Sequence, residues 1–70
     1  MGNLTTFFFN GEEYYTTKCI SLLELINYFD YHSSLIVVEY NNFICEKIKW
    51  DQIKIKKNDL IEIITIVGGG

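Results

Sequence analysis

Residues 5–17 read TTFFFNGEEYYTT, and this stretch decides the fold. Its first five residues, Thr5–Phe9, are β-branched or aromatic, which favours a strand. Asn10 and Gly11 follow, and both tolerate positive φ, so the pair is typical of a tight type I′ turn. Residues 13–17 then return as a second strand. The chain is therefore predicted to begin with a β-hairpin.

A helix is predicted next, opened by a capping box. The Ser21 hydroxyl can accept from the first free backbone N–H groups, and Glu24, three residues later, can reach back to the Ser21 N–H. We expect this helix to end near Tyr31, before the loop residues 32–34. One apolar stripe at helical spacing supports it: Leu22, Leu25, Ile26 and Phe29.

Three further strands are predicted in the second half, at residues 35–40, 43–45 and 60–67. Asn41-Asn42 and residues 57–59 supply turns, and residues 46–55 are expected to be irregular, or a brief helical turn around Trp50. A helix between two groups of strands in one sheet forms part of a crossover connection, which is expected to be right-handed. Such a crossover would place the first and last strands side by side and parallel. The predicted fold class is α+β: a β-grasp, with a mixed sheet of four to five strands wrapped around one main helix.

One face of such a sheet stays open, because a single helix covers only the other face. Side chains alternate across a strand, so Glu62 marks the outward side of the last strand. Ile64 and Ile66 share that side, whereas Ile61 and Ile63 should point at the helix. In the first strand, Phe8 should point outward between two inward-facing phenylalanines, Phe7 and Phe9.

Phe8, Ile64 and Ile66 are therefore expected to form an exposed apolar cluster on adjacent strands. Contiguous apolar patches often mark interaction sites, so we predict that these three side chains dock a partner. The alternative is that residues 46–55, with Trp50, fold over the cluster and cover it.

The length and charge of the chain limit the kinds of function that it could have. Seventy residues make one domain with a modest core, which favours a carrier or binding module over an enzyme. A net charge of −3 argues against nucleic-acid binding, although five lysines cluster at 47–57 and form either a solvated edge or a surface for an acidic partner. No apolar run is long enough to span a membrane, and no basic–apolar leader opens the sequence, so we expect neither membrane insertion nor secretion.

The spacing of the two cysteines does not indicate a metal site or a redox pair. Cys19 and Cys45 form neither a CxxC pair nor a four-ligand metal set, and we expect two reduced thiols and no bound metal. The chain contains no Ala, Arg or Pro and is rich in Ile, Asn and Lys, a skew typical of an AT-rich genome. We therefore expect the cytoplasm of a low-GC bacterium, or the plastid stroma if the gene is organellar.

Gly68, Gly69 and Gly70 close the sequence after Val67. Glycine carries no Cβ and packs nothing, so the folded domain is predicted to cover residues 1–67 and a flexible tail residues 68–70. The tail reaches about 10 Å and could pass through a narrow channel, which leaves the terminal carboxylate as its one reactive group. The alternative is an inert, frayed terminus.

The chain resembles the ThiS family of sulfur carrier proteins in thiamine biosynthesis, β-grasp relatives of ubiquitin. The resemblance covers nearly the whole sequence, and the terminal glycines at the end of a β-grasp pattern are its most specific part. The matching segments are Phe9-Asn10-Gly11-Glu12, Ser21-Leu22-Leu23-Glu24-Leu25, Ile36-Val37-Val38-Glu39-Tyr40-Asn41, Trp50, Asp59-Leu60-Ile61-Glu62-Ile63 and Val67-Gly68-Gly69-Gly70.

The resemblance implies that a ThiF-like enzyme uses ATP to adenylate the Gly70 carboxylate. Sulfur, usually from a cysteine desulfurase persulfide, then gives a thiocarboxylate that a ThiG-like thiazole synthase consumes. Gly70 would carry the sulfur, and Gly68 and Gly69 would thread into the partner. The chain has neither a P-loop nor a nucleophile–base set, so it is expected to be a protein cosubstrate, with ATP bound by the partner.

Two related functions stay open at this point. The small subunit of molybdopterin synthase shares the fold and the thiocarboxylate, although those chains usually run longer and often have prolines before an Ala-Gly-Gly-type end. A ubiquitin-like modifier would instead form isopeptide bonds through the tail. A plain binding module with an inert tail is the third alternative.

Overall fold

A computed structural model describes residues 4–66 as one five-stranded sheet with a helix packed on one face. The strands are β1 (Thr5–Phe9), β2 (Glu12–Thr16), β3 (Ile36–Tyr40), β4 (Phe43–Cys45) and β5 (Leu60–Thr65). The helix α1 (Leu22–Tyr28) follows β2, and single 3-10 turns occupy Ser33–Leu35 and Lys47–Lys49.

The strand order across the sheet is β2-β1-β5-β3-β4. β1 and β5 are neighbours and run parallel, as predicted, while the other three pairings are antiparallel. The first and last strands therefore form the centre of the sheet, and the crossover between them carries α1. This arrangement confirms the predicted β-grasp fold.

Asparagines in positive-φ conformations build the turns. Asn10 (φ 53°) and Gly11 (φ 82°) form the predicted hairpin turn between β1 and β2. Asn41 (φ 53°) and Asn42 (φ 74°) turn β3 into β4, and Asn58 (φ 68°) lies in the turn before β5. Asn populates this region more readily than most residues, which is why three turns could be predicted from composition.

The helix begins as predicted and ends earlier. The Ser21 side chain accepts from the Glu24 N–H (3.1 Å) and the Glu24 carboxylate accepts from the Ser21 N–H (2.8 Å), so the capping box is confirmed. The helix ends at Tyr28 and not near Tyr31, because Asp30 adopts a left-handed conformation (φ 62°) and the Tyr31 N–H bonds back to the Ile26 carbonyl.

The core lies between α1 and the inner face of the sheet. Its largest fully buried side chain is Trp50, whose indole N–H donates to the Cys45 carbonyl at 3.0 Å. The Trp50 carbonyl accepts from the Leu23 N–H of the helix at 3.1 Å. The alternative in which Trp50 covers the open face of the sheet is therefore wrong: residues 46–55 close the core on the helix side. The other core residues are Phe7, Phe9, Leu22, Leu25, Ile26, Ile36, Val38, Ile55 and Ile61.

Three strand boundaries differ slightly from the prediction. β2 is shifted one residue earlier, Leu35 belongs to a 3-10 turn and not to β3, and β5 ends at Thr65. Val67, Gly68, Gly69 and Gly70 lie outside the described residues, so the division of the chain at residue 67 stays a prediction.

Candidate functional site

The sheet face opposite α1 is the candidate docking face, and we call it the open face. β5 crosses its centre, and two of the apolar side chains predicted there are exposed: Ile64 on β5 is 45% exposed, and Ile66, just after the strand, is 49% exposed. Leu60, at the start of the strand, is 42% exposed. The opposite side of β5 is covered, since Ile61 is buried and Ile63 half-buried. The alternation inferred from Glu62 is confirmed.

Phe8 points to the same face, but it does not join Ile64 and Ile66. Phe8 lies opposite Leu60 on β5 and opposite Glu13 on β2, and it is half-buried. Ile64 lies four residues farther along β5, or about 13 Å, where its neighbour is Val37 of β3. The prediction of one contiguous cluster is therefore wrong. The register of β1 against β5, which local patterns do not encode, separates its members.

A small acidic cleft occupies the space between these apolar positions. Glu39 and Glu62 lie directly opposite each other on β3 and β5, and both line a cavity of about 150 Å³ together with Phe8 and Leu60. Gly11 and Asn42, from the two neighbouring turns, complete its rim. This cleft was not predicted from the sequence, although alternation along a strand at residues 36–40 places Glu39 on the face opposite Val38 and Tyr40.

Two contacts hold the end of β5 and the residue that follows it. The Asn10 side-chain oxygen accepts from the Ile63 N–H at 2.8 Å, beyond the last residue of β1. The Ile66 N–H donates to the Leu35 carbonyl at 2.7 Å. The end of β5 is therefore held from both sides, almost to Ile66, the last residue that the structure describes.

Buried Asp59 holds the other end of β5. Its carboxylate accepts from the Tyr40 hydroxyl (2.5 Å), the Asn41 side-chain amide (3.1 Å) and the Lys56 N–H (2.7 Å). Burial, followed by the hydrogen bond to Asp59, raises the pKa of the Tyr40 phenol well above its usual range. These contacts fix the turn before Leu60 and, with it, the register of the open face.

The described residues contain no group of three or more His, Cys, Asp or Glu side chains that could hold a metal ion. Cys19 is exposed and Cys45 half-buried, and both are free thiols. Burial raises the pKa of the Cys45 thiol, so that thiol is a poorer nucleophile at neutral pH than an ordinary cysteine. Between residues 4 and 66, no helix is long and apolar enough to cross a membrane.

Comparison with protein families gives a match over residues 7–70 to the model described as "ThiS family". The match spans the open face, β5 and all three terminal glycines. The chain belongs to the ThiS family. The resemblance inferred from its motifs is thereby confirmed.

Sequence relatives of this ThiS-family chain include a protein of Trieres chinensis, 66% identical over 65 residues (93% of this chain and 89% of the relative), and one of Pyropia yezoensis, 39% identical over 61 residues (87% and 86%). Both bear the name "Uncharacterized protein ycf40". Among solved structures, the thiamine biosynthesis protein ThiS of Geobacter metallireducens superposes with a TM-score of 0.80 at 22% identity, covering 94% of this chain and 100% of that one. That likeness confirms the fold.

Proposed function

We propose that this chain is a sulfur carrier whose Gly70 carboxylate is adenylated and then converted to a thiocarboxylate for thiazole formation in thiamine biosynthesis. The observation that carries the proposal is the family match, which continues through Gly68 and Gly69 to Gly70. The described part of the chain supports it, because β5 is fixed almost to the point where this tail begins.

The chemistry requires an activated carboxyl carbon, since a free carboxylate is a poor electrophile. A Gly70 oxygen attacks the α-phosphorus of ATP and displaces pyrophosphate, which gives an acyl-adenylate. A persulfide sulfur then attacks the carbonyl carbon and AMP leaves. A second thiol cleaves the resulting acyl disulfide, forms a new disulfide and releases the thiocarboxylate. The half-buried Cys45 thiol, with its raised pKa, is a poor candidate for the attacking thiol. We propose that partner proteins supply both the persulfide and the second thiol.

The proposed partners follow from these steps: a ThiF-like adenylating enzyme that binds ATP, a sulfur donor such as a cysteine desulfurase, and a ThiG-like thiazole synthase. We propose the plastid stroma as the location, because the relatives carry the name of a plastid-encoded gene, ycf40, and because the composition fits an AT-rich genome. Cytoplasm of a low-GC bacterium is the alternative.

Mass spectrometry of the carrier tests the proposal. The chain is incubated with the ThiF-like enzyme of its own source organism, ATP and a persulfide donor, and the intact mass is compared with that of a reaction without ATP. We expect the exchange of one oxygen for sulfur, located by fragmentation to residues 68–70 so that thiol oxidation at Cys19 or Cys45 is not mistaken for it. A chain lacking Gly70 is the control and should gain nothing.

Three other outcomes would overturn the proposal in different ways. A thiocarboxylate consumed by a molybdopterin precursor and not by thiazole synthase would assign the chain to molybdenum cofactor synthesis. Isopeptide conjugates on lysines of other proteins would make it a ubiquitin-like modifier. An unchanged mass with an enzyme that adenylates its own ThiS would leave a binding module with an inert tail.

A further inference from the structure

Two like charges face each other at the centre of the open face. Glu39 on β3 and Glu62 on β5 are direct partners in the antiparallel register, an arrangement that destabilises a sheet. The chain contains no arginine, and none of the outward positions on the described strands is a lysine. Those outward positions are Thr6, Phe8, Glu13, Tyr15, Val37, Glu39, Ile44, Leu60, Glu62 and Ile64. The sheet itself therefore supplies no cation to offset the pair.

The surroundings of the pair are apolar. Phe8 and Leu60 form the wall of the cleft beside the two carboxylates, and Ile64 with Val37 form the next rung along β5 and β3. A cation that entered the cleft would meet two carboxylates and an aromatic side chain. A planar guanidinium suits this geometry better than an ammonium, since it can bond both carboxylates at once and stack on Phe8.

The pair also lies within reach of any protein that holds the tail. Glu62 precedes Ile66 by four residues, about 13 Å along the strand, and residues 67–70 continue from there. A standard interface buries about 800 Å² on each partner, which corresponds to a patch of about 16 Å radius. A patch of that size centred near Ile66 therefore extends to Glu62 and to Glu39 opposite it.

We propose that the open face docks on a surface of the adenylating enzyme that presents an arginine ringed by apolar side chains, and that this arginine enters the cleft between Glu39 and Glu62. The inference rests on the proposed function, because it takes the adenylating enzyme as the occupant. In the free carrier the two carboxylates repel each other. In the complex, the guanidinium bonds both of them, so charge complementarity selects a basic partner surface.

Binding and stability of matched variants test this inference. The variants are Glu39→Gln, Glu62→Gln and the double change, and the control is the double change Asp30→Asn with Asp51→Asn, which removes the same charge from exposed positions on the helix side. The Kd of each for the ThiF-like enzyme is measured without ATP at about 50 mM and about 500 mM NaCl, a range over which surface charges become screened.

We expect the Glu39→Gln/Glu62→Gln double variant to bind about tenfold more weakly than wild type at low salt and to lose most of the salt dependence. Its Tm should rise by about 2–5 °C, because the repulsion between β3 and β5 is gone. The control should match wild type in Kd. Weaker binding together with a more stable fold distinguishes a docking role from a structural one.

An unchanged Kd in the double variant would overturn the inference. A lower Tm accompanied by a matching loss of binding would overturn it too, because that result would give the pair a structural role. Measuring sulfur loading of the wild-type chain distinguishes failure of this inference from failure of the proposed function. If the wild-type chain binds the enzyme but gains no sulfur, the proposed sulfur-carrier function is wrong. The Kd comparison still tests whether the Glu39–Glu62 cleft takes part in docking. A wild-type chain that does not bind overturns both.

Discussion

The side-chain oxygen of Asn10 accepts a hydrogen bond from the backbone N–H of Ile63, 53 residues later in the chain, at 2.8 Å. The Asn10 N–H donates to the Ile61 carbonyl at 2.9 Å, so the first turn residue adds a rung to the ladder between β1 and β5. Its side-chain amide also donates to the Tyr31 hydroxyl at 3.2 Å. One turn residue thus joins the hairpin, the loop after the helix and the strand that leads to the tail.

Asn10→Ala should destabilise the protein by about 2–3 kcal/mol, because it removes the bond to Ile63 and places alanine at positive φ. Asn42→Ala is the matched control: Asn42 also has positive φ (74°), but no side-chain hydrogen bond of Asn42 is found in the described structure. It should cost about 1 kcal/mol. Urea unfolding of both variants measures the difference, and equal losses would show that the bond to Ile63 contributes nothing.

Tyr40→Phe should cost about 1.5–3 kcal/mol at neutral pH, since it removes a hydroxyl that donates to the buried Asp59 carboxylate. The pKa of Tyr40 is raised in the folded state, so its contribution is complete below the unfolded pKa near 10 and is lost as pH rises above that value. The difference in unfolding free energy between wild type and Tyr40→Phe should therefore shrink above pH 10.

Exposed Tyr28 provides the control for that experiment. Tyr28→Phe should have the same unfolding free energy as wild type at neutral pH, and the two values should stay equal as the pH is raised. A difference between wild type and Tyr40→Phe that stays constant up to pH 12 would contradict the assigned role of the Tyr40–Asp59 bond.

Most of the predicted fold was derived from interactions between residues that are close in sequence. Asn10-Gly11 and Asn41-Asn42 specify their turns through positive φ, and Ser21 with Glu24 specify the start of the helix, so each of these features depends on residues close in sequence. The role proposed for Gly70 comes from the family resemblance alone, and it stays a prediction because no described contact tests it. The turns and the start of the helix could be predicted from the sequence because the interactions that determine them are local.

Long-range register could not be predicted in the same way. The alignment of Phe8 with Leu60, and not with Ile64, depends on Asn10 bonding Ile63 and on Asp59 fixing the turn before β5. A period-2 pattern gives the face of a side chain but not its neighbour on the next strand. For that reason the open face was predicted, whereas the Glu39–Glu62 pair at its centre was missed.

The capping box should make stability sensitive to acid. The hydrogen bond from the Ser21 N–H is the main cause that lowers the pKa of Glu24, so the stabilisation is complete above the unfolded pKa near 4.5 and is lost as pH falls through the lower folded value. In Glu24→Gln the side chain does not titrate. Its difference in stability from wild type should therefore be largest near neutral pH and disappear in acid.

Ser21→Ala removes the other half of the box and should cost about 1 kcal/mol at neutral pH. Ser34→Ala, at an exposed position in the 3-10 turn, should be nearly neutral. Thermal unfolding between pH 3 and pH 7 compares the four proteins. A Glu24→Gln variant that parallels wild type across this range would refute the pH dependence.

Ile64→Ser and Ile66→Ser should weaken docking and leave the chemistry intact. Each side chain is about half exposed in the free protein, so burial against a partner gains roughly 1 kcal/mol, and its loss should raise the KM for the carrier about fivefold per site. The kcat of sulfur loading should stay unchanged, because the proposed reaction takes place at the Gly70 carboxylate and not at these side chains.

Ile48→Ser, at a 77% exposed position on the helix side, is the matched control and should leave KM unchanged. A drop in kcat without a change in KM would place Ile64 and Ile66 in positioning of the tail and not in docking.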